Sequence, residues 1–448
     1  PGVVRTLWDG GLAESYASNF SGSYYGDNGT RYYNATSDSQ TAPGSNRVGI
    51  EVDFAGNEVQ YFIVESDGTK TAAGDVLAAG DGIDFDGEGI FTATLHDSSA
   101  RNITAYFEEA DWYGTPNTGY VALNTANLPT PAIADGSKYF QTTLYTATGS
   151  ALEVNQIGNS TFQPDFVWVK NRTQASGQMI NDAITGPQKF LRADNTNAQT
   201  TEAQGLVSFD ADGFSVGTNG DFNYGTDSFV GWQWLAGNGT ASNGNGSIAS
   251  TVTANQTAGF SVISYTGNAT GGATIGHGLS QAPEMVITKS LDNGTGRNWA
   301  VYHVVPGPTK YGELDNTNIF NTGSTRWNDT APSSTVVTLG SQQTTNDNGS
   351  AMIAFCWHSV EGFSRFGGYT GNGSANGPFI HTGFRPAFVI FKRSNSADNW
   401  AMYDATRDPY NVAGKYLLSD TNAAETTYST AKVDFLSNGF KWRGAVNF

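Results

Sequence analysis

The residues best equipped for chemistry in this 448-residue chain are acidic and aromatic clusters towards its N-terminus. Glu108-Glu109-Ala110-Asp111-Trp112 sets carboxyl groups beside an indole. A glycosidase needs such a pair, with its carboxyls ~5–10 Å apart across the scissile bond. An acidic loop on an acidic surface is the simpler reading of the same string. Asp81-Gly82-Ile83-Asp84-Phe85-Asp86-Gly87-Glu88 clusters oxygen ligands on a Gly-rich turn, which makes Asp84, Asp86 and Glu88 the candidate calcium ligands. An EF-hand loop beginning at Asp84 would need Glu at its twelfth position, which is Leu95, so that motif fails and a plain turn is again simpler. Asp210 and Asp212 are read with the same restraint. Trp8, Tyr24, Tyr25, Tyr32, Tyr33 and Trp112 are candidate platforms for a glycan. Their rings suit the apolar faces of sugars, while neighbouring Asn and Asp suit the hydroxyls. Aromatic residues at strand spacing also fill cores, and that is the competing reading for each of them.

Other chemistries find no footing. The five histidines form no HxH or HExxH spacing, and Cys356 is the single cysteine, so neither a zinc site nor an intrachain disulfide is expected. No Gly-x-Ser-x-Gly elbow with ordered triad partners is apparent. The net charge of −18 argues against nucleic acid as a partner, since no basic footprint exists for phosphates. No apolar run approaches the ~18 residues of a membrane-spanning helix, and no membrane insertion is expected. Asn-x-Ser/Thr sequons such as Asn28, Asn102, Asn238 and Asn372 follow from composition alone. The expectation is therefore a chain that is not an enzyme and has no cofactor, with calcium as the one ion worth testing.

The elements that must position these residues are strands. Charged residues make up only 14% of the chain while Gly numbers 55, so Asn, Thr, Ser and Gly supply the polarity. That mixture suits short strands joined by tight turns. A block recurs three times: a Tyr-Thr pair, then a Pro-led apolar strand that ends in Lys. Tyr145-Thr146 precedes Pro164 to Lys170, Tyr265-Thr266 precedes Pro283 to Lys289, and Tyr369-Thr370 precedes Pro386 to Lys392. The prolines are spaced by 119 and 103 residues and the lysines by the same two intervals, which identifies a tandem repeat.

Asn298-Trp299-Ala300-Val301-Tyr302-His303 matches Asn399-Trp400-Ala401-Met402-Tyr403-Asp404, and both read as strands with alternating faces. Phe209 to Phe214 and Phe435 to Phe440 carry Asp-Gly and Asn-Gly, the tight-hairpin signal. The first two copies close with aromatic strands, Phe229 to Trp234 and Ala351 to Trp357, and the recurring tryptophans read as core. Lys170, Lys289 and Lys392 read as strand ends or structural ion pairs. The third copy lacks a closing strand through Phe448. The natural polypeptide is therefore expected to continue, or a neighbouring chain to supply the strand.

The expected fold is all-β, an N-terminal β-sandwich-like unit plus three tandem β-rich repeat units, the last incomplete. The expected boundaries are 1–138 for a partial lectin-like sandwich, 139–240 for the first repeat, 241–257 for a Gly/Asn/Ser/Thr-rich flexible linker, 258–360 for the second repeat and 361–448 for the third. Gly49 to Phe54 and Val59 to Val64 read as a hairpin, and Gly89 to Leu95 and Ile103 to Phe107 as further strands.

The string from Gly119 to Pro129 (GYVALNTANLP), Tyr369-Thr370-Gly371-Asn372-Gly373, Thr382-Gly383-Phe384-Arg385-Pro386 and Leu436-Ser437-Asn438-Gly439-Phe440-Lys441 together resemble structural proteins of tailed, marine-type bacteriophages. The resemblance covers about residues 119–448. It implies a concanavalin- or SPRY-like sandwich followed by tandem β-rich repeats of unassigned function, and it implies continuation past the third copy. It carries no catalytic residues. The function expected from it is a non-enzymatic virion surface protein, a tail fibre or appendage presenting β modules to host-surface polysaccharide. The alternatives are a capsid decoration or other structural component and, more remotely, an exopolysaccharide depolymerase. Other virion proteins and further copies of the chain, for instance in a trimer, are the expected partners, and the location is extracellular, on the virion.

Overall fold

The computed structural model describes residues 131–428 and 430–444. In the N-terminal part it describes 7–9, 22–25, 31–34, 47–53, 58–64, 67–72, 110, 112, 114–117 and 120. The chain divides into a unit spanning residues 1–130 and one spanning 131–448. Both are built from short antiparallel strands, and the fold is all-β as expected.

Among its described residues the N-terminal unit contains two three-stranded sheets. One joins β1 (Leu7–Asp9), β2 (Gly22–Tyr25) and β3 (Arg31–Asn34); the other joins β4 (Arg47–Asp53), β5 (Glu58–Val64) and β6 (Lys70–Ala72). The expected β4–β5 hairpin forms, with Asp53 opposite Glu58 across the turn. Buried Glu51 is tied down by Lys70 and by the Asn117 backbone N–H and side-chain amide, each 2.8 Å away.

The first repeat is a two-sheet sandwich. Its large sheet is built from β7 (Phe140–Thr146), β9 (Phe166–Asn171), β10 (Gln178–Asp182), β11 (Lys189–Arg192), β12 (Thr200–Thr201) and β15 (Ser228–Trp234), in the order β12-β11-β10-β9-β15-β7. The small sheet joins β8 (Leu152–Asn155), β13 (Leu206–Asp210) and β14 (Gly213–Val216). A single helical turn, α1 (Gly220–Asn223), precedes β15.

The second repeat has β16 (Ala241–Asn243), β17 (Ser250–Asn255), β18 (Phe260–Thr266), β20 (Met285–Ser290), β21 (Ala300–His303), β22 (Lys310–Glu313), β23 (Asn321–Thr322) and β25 (Ala351–Trp357) in its large sheet. Its small sheet pairs β19 (Thr274–Gly276) with β24 (Val336–Thr338), and the turns α2 (Ser324–Trp327) and α3 (Gln343–Asn346) flank β24. The third repeat pairs β26 (Phe379–His381), β32 (Gly439–Trp442) and β31 (Val433–Leu436) in a small sheet. Among the described residues its large sheet holds β27 (Phe388–Phe391), β28 (Ala401–Asp404), β29 (Lys415–Leu418) and β30 (Thr426–Thr427).

Strand alternation divides the apolar residues between two kinds of core. Val167 and Val169 face the small sheet of their own repeat, where Phe214 and Val154 complete a private core. Phe166 and Trp168 face the other way, into a cluster shared with Phe260, Trp299 and Phe355 of the second repeat and Trp400 and Met402 of the third. The same division holds at Trp299/Val301 against Ala300/Tyr302, and at Trp400/Met402 against Ala401/Tyr403. Each large sheet is therefore buried on both faces, and the three sandwiches lean on one central core.

Two expectations change. Residues 241–257 are no flexible linker: β16 and β17 extend the second repeat's sheet from the outer edge of β18. Val252 alternates with small Ser and Thr, and its packing into the private core of that repeat overrides a composition that resembles a linker. The boundary also moves from 138 to 130. Asp135 accepts from Ser160 Oγ at 2.6 Å, and Ser137 O accepts from Gln141 Nε2 at 2.9 Å, so this stretch is sewn to the first repeat.

The two hairpins form where expected, but their glycines start the returning strand rather than occupy the turn. A Cβ on Gly213 would come within 2.1 Å of Val154 O, and one on Gly439 within 2.1 Å of Ile380 O. Close approach of the neighbouring strand is what requires glycine at these positions.

Candidate functional site

The sequence-predicted ligand residues fall mostly where side chains are not described. Backbone register in the first sheet sets Trp8 opposite Ser23, Tyr24 opposite Tyr33 and Tyr25 opposite Arg31, with an irregularity at Tyr24/Tyr25; Tyr32 lies within β3. Trp112 is half-buried. Asp84, Asp86 and Glu88, together with Glu108, Glu109 and Asp111, lie outside the described residues. Asp210 accepts from Ser208 Oγ at 2.7 Å and Ser215 Oγ at 2.6 Å, which makes it a hairpin brace. Among the described residues no group of three His, Cys, Asp or Glu side chains is placed to hold a metal.

The three strand-ending lysines do something the sequence did not disclose. Lys170 donates to Asn171 O at 2.7 Å and to Asn422 O of the third repeat at 3.3 Å. Lys289 donates to Arg297 O at 2.7 Å and to Thr196 O of the first repeat at 2.8 Å. Lys392 donates to Arg393 O at 3.0 Å and to Thr317 O of the second repeat at 3.3 Å. Thr196, Thr317 and Asn422 are equivalent loop positions, so the ties run first to third, second to first and third to second.

A second set runs the same way round. Gln178 Nε2 reaches Leu418 O at 2.6 Å, Trp299 Nε1 reaches Arg192 O at 2.9 Å, and Trp400 Nε1 reaches Glu313 O at 2.9 Å. Backbone bonds from Gln199 to Leu291, Phe320 to Ser394 and Glu425 to Arg172 complete a third set in the opposite sense. The repeats therefore form a closed ring with pseudo-threefold symmetry. The seam between the third and first repeats also carries Arg172–Glu425, with N···O distances of 2.8 and 2.9 Å, and Arg407 joins that pair.

Burial pulls the ammonium groups of Lys170 and Lys289 down to about 8 and lowers that of Lys392. In each repeat an aspartate at the seam accepts from the backbone N–H that starts the next strand: Asp194 from Gln178, Asp315 from Trp299 and Asp420 from Trp400, at 2.9–3.1 Å. Burial pushes Asp315 and Asp420 up to about 6. The lysines are held chiefly by carbonyl acceptors, so the expected ion pair is replaced by a charge-assisted tie to a neighbouring repeat.

The ring is closed everywhere except at one sheet edge. In the first repeat β15 runs antiparallel between β9 and β7; in the second, β25 runs antiparallel between β20 and β18. In the third, β27 pairs with β28 on one side, and among the described residues no strand pairs its other edge. Phe388, Val389 and Ile390 are half-buried, whereas their counterparts in β9 and β20 are all at most 6% exposed. The segment equivalent to β7 and β18, residues 363–369, makes no ladder among the described residues. Between it and β27 lies a cavity of about 1240 Å³, lined by Phe366, Phe388 and Ile390 of the third repeat, Phe140 and Trp234 of the first, and Trp357 of the second.

The Tyr-Thr motif acquires a role from the two closed repeats. Tyr145 OH donates to Phe222 O at 2.7 Å and Tyr265 OH to Thr345 O at 2.6 Å, so each tyrosine pins the helical turn before the closing strand. The next residue of that turn is a buried asparagine. Asn223 Oδ1 accepts from Thr148 N at 2.7 Å, and Asn346 Oδ1 from Asn268 N at 2.7 Å. Sequence reading missed this pair, although each asparagine stands five residues before its closing strand.

Residues 135–447 match the model of a family described as a domain of unknown function, DUF7483. No curated protein and no solved structure matches the chain.

Proposed function

The chain belongs to the DUF7483 family of domains of unknown function, and on that premise we propose that it is a non-enzymatic virion surface protein. In this reading it is part of a tail fibre or similar appendage that presents β modules to host-surface glycan. The observation that carries the reading is the closed ring of three sandwiches. Its strand-ending lysines and two of its indoles are engaged in ties between repeats, an arrangement suited to a rigid display block. The sequence resemblance to tailed-phage structural proteins points the same way. Trp8, Tyr24, Tyr25, Tyr32, Tyr33 and Trp112 supply the glycan-facing chemistry, and many copies on one particle convert weak single contacts into firm attachment. Other virion proteins and further copies of the chain are its partners.

Labelled antibody against the chain should decorate the tail or its fibres in intact particles, and the isolated chain should bind a subset of a glycan array. Decoration of the head together with an array free of binding would replace this reading with a capsid decoration protein. Release of reducing sugar by the wild-type chain, abolished in Glu109→Gln, would overturn the non-enzymatic part.

A further inference from the structure

We propose that the seam between the third and first repeats is the clasp of the ring: a buried ion network centred on Glu425 holds it shut, and the ring opens at this seam while each repeat stays folded. The proposal is independent of the virion reading. Four observations carry it.

The first is a comparison of equivalent positions. One backbone bond crosses each seam at the same place, from Gln199 to Leu291, from Phe320 to Ser394 and from Glu425 to Arg172. The side chains at these positions differ. Leu291 packs against the central core, and Phe320 is buried there with its ring 6.1 Å from that of Trp400. Apolar surface therefore helps to seal those two seams. At the third seam the same two positions hold a carboxylate and a guanidinium.

The second is the network itself. Arg172 of the first repeat grips Glu425 with both arms of its fork, Nε at 2.9 Å and Nη2 at 2.8 Å. Arg407 Nη1 reaches the same carboxylate from within the third repeat, at 2.9 Å. The side chains of Arg407 and Asp404 are fully buried and paired with each other, and Trp232 Nε1 of the first repeat donates to Asp404 at 3.2 Å. Burial pushes the Glu425 carboxyl up, but the bonds and charges of Arg172 and Arg407 outweigh it and hold the group below the ordinary carboxylate range. Without that negative charge, Arg172 and Arg407 would face each other across the seam. A buried charge stripped of its partner is far more disruptive than a broken surface pair.

The third is the loop that supplies Arg407. It runs over ten residues, 405–414, between β28 and β29, whereas its counterparts 183–188 and 304–309 have six. The loop is fastened beyond the arginine. Asn411 exchanges two hydrogen bonds with the Phe435 backbone, and Asp408 accepts from Gly414 N at 2.8 Å. The network thus belongs to this repeat and is no general property of the repeat fold.

The fourth is what else holds the seam. The other two join repeats that follow one another in the chain. This one joins residues 253 apart, so opening it releases loop-closure entropy. Its apolar part is interrupted by the 1240 Å³ cavity, which lies between Phe388 of the third repeat and Phe140 and Trp234 of the first. With less packed surface and no direct chain connection, the ionic part decides whether the seam is shut.

The test follows amide exchange in the 448-residue chain at one reporter for each seam. Ser176, whose N–H bonds to Asn422 O at 2.9 Å, reports on the clasp, and Gln199 and Phe320 report on the other two seams. Glu425→Gln should speed exchange at residue 176 by about a hundredfold and leave Gln199 and Phe320 within about twofold of wild type. Arg172→Lys keeps the charge and loses the fork, and should give a smaller rise, about tenfold, at the same reporter. A disulfide made by Ser176→Cys with Asn422→Cys should abolish the rise caused by Glu425→Gln. Three results would overturn the proposal. Equal acceleration at all three reporters would make the network part of global stability alone. Unchanged exchange at residue 176 in both variants would show that the seam shuts without it. Acceleration that survives the disulfide would place the opening elsewhere.

Discussion

Position 287 in the second repeat and position 390 in the third are isoleucines at the same place in the same strand. Ile287 is 4% exposed, between β21 on one side and β25 on the other. Ile390 is half-buried, with β28 on one side and the groove on the other. Everything local is alike in the two repeats: the leading proline, the terminal lysine, the Trp-headed partner strand. The difference comes from a strand distant in sequence, so a central β-strand owes its burial to its neighbours more than to its own residues.

The largest expected break in the comparison is at Trp299, fully buried and bonded to Arg192 O across the seam. Trp299→Ala should cost about 3–5 kcal/mol in a denaturant titration, through cavity formation and an orphaned carbonyl. Ile287→Ala should follow at about 3 kcal/mol, whereas Ile390→Ala should cost about 1. Equal losses at the two isoleucines would mean that the edge of β27 is sealed in solution.

Gly213→Ala and Gly439→Ala sharpen the comparison by predicting sameness. Each places a Cβ 2.1 Å from a carbonyl oxygen, and each should cost upwards of 1 kcal/mol. A cost confined to Gly213 would show that the third repeat's small sheet is as incomplete as its large one.

Smaller effects read the seams by pH. The Lys289 ammonium titrates at about 8 when folded, below its ordinary 10.5. Between these values the folded chain binds fewer protons than the unfolded one, so the contribution of this site to stability rises with pH and is lost as pH falls through 8. Lys289→Met should flatten that slope in a Tm-against-pH series, and Lys392→Met, at a less buried site, should flatten it less. Asp315 has the opposite sign. Its folded value of about 6 lies above the ordinary 3.8, so its contribution is full below 3.8 and is lost as pH rises through 6. Asp315→Asn should remove that small slope.

Much of the repeat architecture was legible because it rests on residue types with strict geometric demands. Equal spacing of prolines and lysines located the units, and Trp299/Val301 against Ala300/Tyr302 gave the two-faced strand. The aromatic closing strands were legible as strands, but their place between two partners in each sheet came only from the structure. The misreadings have physical causes as well. Strands β16 and β17 were hidden because an edge strand of Ser, Thr and Asn has the composition of a linker. The lysines looked like ion pairs because sequence gives a charge and not its acceptor, and the acceptors are backbone carbonyls in other repeats. The ligand candidates around Trp8 and Asp84 rest on residue type alone.

By itself the sequence determined the all-β class and the three repeats, since alternation, turn chemistry and repeat spacing are properties of short segments. Only the tertiary structure decided that the repeats close into a ring rather than string out as beads. That decision is made by contacts such as Lys170 with Asn422 and Trp400 with Glu313. Their partners lie more than eighty residues apart, and the acceptors are main-chain oxygens that every residue type carries.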